Sequence, residues 1–128
     1  AGMGGNAGTQ TLAVAVRALA TNQLTESNTL RAFGRELMIA LTNGISLGAL
    51  IGVGVALVFH NPLLGAVMGA AMVINNLVAG LAGVMVPITL DRLRIDPAVS
   101  SAVFVTTCTD CLGFLSFLGL ATLVGLGR

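Results

Sequence analysis

Apolar positions run along this chain in four long blocks, each closed by charged or turn-forming residues, and the blocks set the architecture. The first, Ala1 to Val16, is shorter than the roughly 20 residues that cross a bilayer. The second runs from Leu37 to Phe59 without a charge. The third runs from Pro62 to Leu90, broken only by Asn75, Asn76 and Pro87. Both are long enough to span. Asn61-Pro62 between them reads as a tight turn with an N-cap followed by proline at the first helical position, so blocks two and three predict a helical hairpin. The fourth block opens the same way, with Asp96 as cap and Pro97 as first residue, and continues to Gly127. Inside it stands a single charge, Asp110, about halfway along. A carboxylate at that depth is costly, and such residues face a water-filled path, an ion or a partner rather than lipid.

The polar connections predict the topology. Arg17, Arg31 and Arg35 lie between blocks one and two, and Arg92 and Arg94 between three and four, so the two connections share one side. The other side holds the His60-Asn61 turn and Arg128. The positive-inside rule places loops 17–36 and 91–96 in the cytoplasm of an inner-membrane protein. Ser27 to Glu36 mixes charged positions with Leu30, Phe33 and Leu37 at helical spacing, which predicts a helix lying at the cytoplasmic surface. The expected fold class is therefore all-α, a polytopic membrane helix bundle in contact with lipid.

Composition agrees. Hydrophobic residues make up 55% of the chain and charged residues 9%, whereas soluble domains carry about a quarter charged. There is no Trp or Tyr, and Gly supplies 17 of 128 residues, the small side chain that lets membrane helices approach closely. Six cationic side chains, all Arg, against five acids leave no basic footprint for nucleic acid. The chain opens with Ala1 inside an apolar stretch, so the expectation is a transmembrane domain over residues 1–128 that is N-terminally incomplete.

Several motifs offer chemistry that their surroundings withdraw. Gly2-Met3-Gly4-Gly5-Asn6-Ala7 matches the dinucleotide fingerprint, but no strand precedes it and no acid follows at the required distance. Close helix contact, or backbone carbonyls turned to a water-filled cavity, are the readings that remain. Cys108-Thr109-Asp110-Cys111 has the C-x-x-C spacing without a second ligand pair or a redox fold, so the cysteines read as small packing residues. Gly44, Gly48 and Gly52, like Gly65 and Gly69, recur every fourth position and predict smooth stripes for helix packing. For Asn43, Asn75 and Asn76, interhelical hydrogen bonding and pore lining both stand open. On block four, Thr106, Asp110, Gly113 and Phe117 share a face. No Lys exists and every Arg lies at a block border, so Asp110 has no buried cationic partner in the sequence. One carboxylate cannot cage a divalent ion, and symmetry would bring a second copy to the same axis.

Gly4-Gly5-Asn6-Ala7-Gly8-Thr9-Gln10, followed by Val16-Arg17 and Leu19-Ala20, resembles the GGNAG-[ST]-Q signature of the MgtE magnesium channel family. Phe33-Gly34-Arg35-Glu36-Leu37, Leu93-x-x-Asp96-Pro97-Ala98 and Phe104-Val105-Thr106-Thr107-x-Thr109-Asp110 continue the resemblance in the family's order across nearly the whole chain. It implies helices two to five of five, a homodimer with its pore on the two-fold axis, and a transporter rather than an enzyme. The transported ion is then Mg2+, with Mn2+ and other divalent cations as alternatives. The family's intramembrane Asp matches Asp110. The Thr106 carbonyl and the backbone of Gly4, Gly5 and Asn6 would be further acceptors around a hydrated ion, since magnesium dehydrates reluctantly. Asp96, Asp91 and Glu36 would gather cations at the cytoplasmic mouth, with helix capping the competing role for Asp96 and surface pairing with Arg35 for Glu36. Two other functions remain open: a non-conducting assembly subunit that uses its glycine stripes for partner binding, and a carrier coupled to H+ or Na+.

Overall fold

Local capping chemistry cuts the chain into four helices: α1 (Gly2–Ala20), α2 (Thr29–Val58), α3 (Pro62–Arg92) and α4 (Pro97–Leu123). They are seen in a computed structural model that describes residues 2–21 and 29–126, without the side chains of 29, 30, 32 and 98–100. Asn61 caps α3 as its sequence predicts, its Oδ1 accepting the Leu64 amide at 3.2 Å with Pro62 behind it. The preceding helix stops on a left-handed His60 (φ 50°), and the Asn61 amide reaches back to the Ala56 carbonyl at 3.2 Å. Arg94 (φ 61°) closes α3 in the same way, with Ile95 N–H on Leu90 O at 2.9 Å, and Gly125 (φ 80°) closes α4 with Leu126 N–H on Ala121 O at 2.9 Å. These are Schellman ends, which satisfy carbonyls that a helix terminus leaves bare.

Three stretches are long and apolar enough to cross a membrane: Phe33–Val58, Pro62–Arg92 and Ser101–Leu123. Two boundaries differ from expectation. Helix α1 runs past Val16 to Ala20, because Arg17 marks a polarity border and arginine is itself a good helix former. From Thr29 onward, the segment expected to lie along the surface is the first part of α2, without a break before Val58. Its opening residues, Ser27 and Asn28, lie outside the described residues. Pro87 is fully buried inside α3, which continues through it.

Helix α3 is apolar all round and occupies the centre, in contact with each of the other three; α1 also packs on α4. The register of contacts gives the directions. Gly4, Gly8 and Thr11 of α1 lie against Asn75, Ala79 and Gly83 of α3, so these two helices run parallel. Gly44, Gly48 and Gly52 of α2 meet Val73, Gly69 and Gly65 in reverse order, so α2 runs antiparallel to α3, and Gly5 and Gly8 of α1 meet Thr109 and Val105 in reverse order, so α4 runs antiparallel to α1 and hence to α3. Arg17, Arg31, Arg35, Arg92 and Arg94 consequently gather at one end of the bundle, as the two polar connections require. Large apolar side chains such as Leu50, Leu57, Val103 and Leu115 point outward, a surface suited to lipid.

Both glycine stripes are spent inside the protomer. A Cβ on Gly48 would stand 2.7 Å from the Gly69 carbonyl oxygen, and one on Gly52 would stand 2.8 Å from that of Gly65. Backbone therefore rests on backbone along the α2–α3 hairpin. The packing role holds, and the stripes are not available to the partner that the assembly-subunit reading gave them.

Candidate functional site at the α1, α3 and α4 crossing

Midway along the bundle, α1 and α4 converge on α3 through residues without bulk. A Cβ on Gly4 would run into the Asn75 carboxamide, and one on Gly113 would lie 2.9 Å from Asn75 Oδ1. Gly5 faces Thr109, whose hydroxyl would be 3.7 Å from an added Cβ, and Gly8 is held against Val105. The dinucleotide-like glycines thus lie within α1, Gly4 and Gly5 as contact points and Gly2 in open space, with no phosphate-binding loop around them. Ser101, Val105, Thr109 and Gly113 form the buried side of α4. The carboxylate predicted from the sequence, Asp110, stands on the exposed side, beside the partly buried Thr106.

The threonine hydroxyls here are satisfied within their own helix, the arrangement that lets Thr sit in apolar surroundings. Thr106 donates to the Ala102 carbonyl at 2.8 Å and Thr107 to Val103 at 2.7 Å. Fully buried Thr109 donates to the Thr106 carbonyl at 3.0 Å, so that oxygen, expected to face an ion, already carries one side-chain bond. On α1, the Asn6 carbonyl accepts the Thr9 hydroxyl at 2.9 Å, while the Asn6 residue itself is exposed.

The sequence-derived acids fall into separate places. Asp91 and Asp96 are exposed at the connection between α3 and α4, about 20 Å along the helix axis from Asp110 at 1.5 Å per residue. Glu36 lines a groove of about 190 Å³ between α1, α2 and α3 with Gln10, Asn43 and Asn76. Among the described residues, no three His, Cys, Asp or Glu side chains come together as a metal cluster. Cys108 is half-buried and Cys111 exposed, so only the first packs inward.

For Asn75 the sequence left interhelical hydrogen bonding and pore lining both open. Asn75 is buried between α1 and α4, whereas its neighbour Asn76 turns its amide to the Met72 carbonyl of its own helix at 2.9 Å. A polar pair in mid-span was the only signal, and it did not say which member faces the crossing.

Comparison with known proteins decides the family. Residues 1–120 match the MgtE model, described as a divalent cation transporter. The chain belongs to the MgtE family. Magnesium transporter MgtE of Enterococcus faecalis is 41% identical over 126 residues, which is 95% of this chain, and that of Thermus thermophilus is 38% identical over 123 residues, or 96%. The Bacillus subtilis protein of the same name is 33% identical over 94% of the chain. In each case the chain spans only 27% of the MgtE relative's length.

Proposed function

We propose that this MgtE chain forms the membrane path of a divalent-cation transporter whose principal cargo is magnesium. The reading rests on Asp110, an exposed carboxylate midway along an apolar helix of membrane length. In a bilayer that position requires a counter-charge or water. Two copies related by a two-fold axis would place two Asp110 carboxylates opposite each other around a hydrated ion. The carboxylates attract the cation and accept hydrogen bonds from its water shell, so the ion need not shed that shell. Backbone at Gly4, Gly5, Asn6 and Thr106 adds neutral acceptors, and the partial commitment of Thr106 and Asn6 carbonyls to hydroxyl donors keeps their pull moderate. Weak, shared binding is what permits release.

Asp91, Asp96 and Glu36 would serve the arginine-bearing end, which we assign to the cytoplasm, as a cation-gathering mouth. The assembly-subunit alternative loses its main support, because its glycine stripes are already buried against each other.

Replacing Asp110 by Asn removes the charge at constant shape. In proteoliposomes holding the full-length protein, Asp110→Asn should lower Mg2+ influx by about tenfold or more while leaving the melting temperature within a few degrees. Parental influx in that variant would overturn the assignment. Influx that tracks an imposed pH or Na+ gradient would instead favour the coupled carrier.

A further inference from the structure

Asn75 is 3% exposed in the middle of α3, and its Oδ1 has no hydrogen-bond partner among the described residues. Leucine, of nearly the same shape, would fill the place without an orphaned acceptor. An unpaired buried carbonyl oxygen is expensive in apolar surroundings, and the rare exceptions call for a functional explanation. Two directions offer a donor. Toward α3 and α4 lies a cavity of about 230 Å³ whose side chains, Met68, Ala71, Met72, Phe114 and Phe117, are all apolar. Water there would find one polar side chain where it needs two to four partners, so the cavity is a poor source. Toward α1 and α4, glycines stand on both sides: Gly4, two residues before exposed Asn6, and Gly113, one turn after Asp110. No side chain at Gly4 or Gly113 screens the carboxamide from the strip that carries Asp110.

We propose that Asn75 is a further acceptor of the ion path: its Oδ1 takes a hydrogen bond from a water in the shell of the cation held at Asp110, when α1 and α4 part slightly at Gly4 and Gly113. The inference rests on the reading of Asp110 as the cation site. A neutral amide orients the shell without adding a charge that would trap the ion. Its fixed distance from the axis also makes it a size gauge, favouring the compact hydrated shell of Mg2+ over the looser coordination of Ca2+.

The test uses the full-length protein in liposomes loaded with a Mg2+-sensitive dye. Asn75→Leu should melt at or above the parental temperature, yet lose about five- to tenfold in Mg2+ influx, the scale of one hydrogen bond, together with part of its preference for Mg2+ over Ca2+. Asn75→Thr, which restores an acceptor oxygen, should recover part of both. A folded Asn75→Leu with parental influx and selectivity would reduce Asn75 to a packing wedge and overturn the inference. Should the Leu variant fail to fold, Asn75→Cys in a background lacking Cys108 and Cys111 decides the matter. Modification by a small water-soluble thiosulfonate, slowed by Mg2+, is expected; no modification overturns the inference. Asp110→Asn, run alongside, separates the two levels. Parental influx there brings down the cation site itself, whereas an Asp110→Asn that loses influx beside a parental Asn75→Leu brings down Asn75 alone.

Discussion

The α2–α3 hairpin and the α1–α3–α4 crossing both use glycine, to opposite ends. In the hairpin, Gly48 and Gly52 rest on the carbonyls of Gly69 and Gly65, and every contact is backbone or aliphatic. At the crossing, Gly4 and Gly113 close on a carboxamide, with buried Thr109 beside them and exposed Asp110 on the next position of α4. The hairpin has no unspent polar side chain along its stripe. The crossing keeps one, Asn75 Oδ1. Dispersion and close approach hold membrane helices together, and polar groups add to cohesion only where they find hydrogen-bond partners, so a region that buries unpaired polarity is organised for something besides cohesion. Ser101, whose buried Oγ is likewise unpaired among the described residues, lies further along the same side of α4.

The sharpest way to break the comparison is to add bulk to the hairpin. Gly48→Leu should cost about 2–4 kcal/mol, because even its Cβ meets backbone that cannot rotate away. Gly54, on α2 but off the stripe, has open space around it, and Gly54→Leu should unfold in detergent much like the parent. Equal thermal unfolding of the two leucine variants would show that the stripe carries no packing energy.

A smaller effect is expected at the crossing. An Ala at position 4 collides with the Asn75 amide, a side chain that can shift, whereas an Ala at position 5 makes only an ordinary contact with Thr109. Gly4→Ala should therefore reduce influx severalfold at a stability cost of about 1 kcal/mol, and Gly5→Ala should change stability by less than about 0.5 kcal/mol. If both variants lost stability alike and neither lost influx, the crossing would be a second packing seam and the contrast would vanish.

The smallest effect belongs to the hairpin's turn. His60 holds a left-handed conformation that costs a side-chain-bearing residue about 1 kcal/mol, so His60→Gly should raise stability by roughly 0.5 kcal/mol after the glycine's greater freedom in the unfolded chain is discounted. Chemical denaturation of both proteins measures it. Influx should not change, since the turn is far from the crossing.

What the sequence determined is what depends on neighbours along the chain. Uninterrupted hydropathy marks the spans, Asn61-Pro62 sets the start of α3 through a single side-chain bond, and arginine-bearing borders fall at one end of the bundle. The MgtE signature motifs, read in order, carried the family. Two limits were local as well: Arg17 closes an apolar block without closing a helix, and the surface-like start of α2 is continuous with the span. Periodicity also assigns each residue an angle about its own helix axis, which is why the glycine stripes and the Asp110 face were legible. It does not say what stands opposite. Only the tertiary structure paired the Gly44 stripe with the Gly65 stripe, placed Asp110 on the open side of α4, and turned Asn75 rather than Asn76 toward the crossing. Adjacent residues on a helix differ by about 100°, so which asparagine meets Gly4 and Gly113 depends on how three axes cross, a matter of packing between segments far apart in the chain.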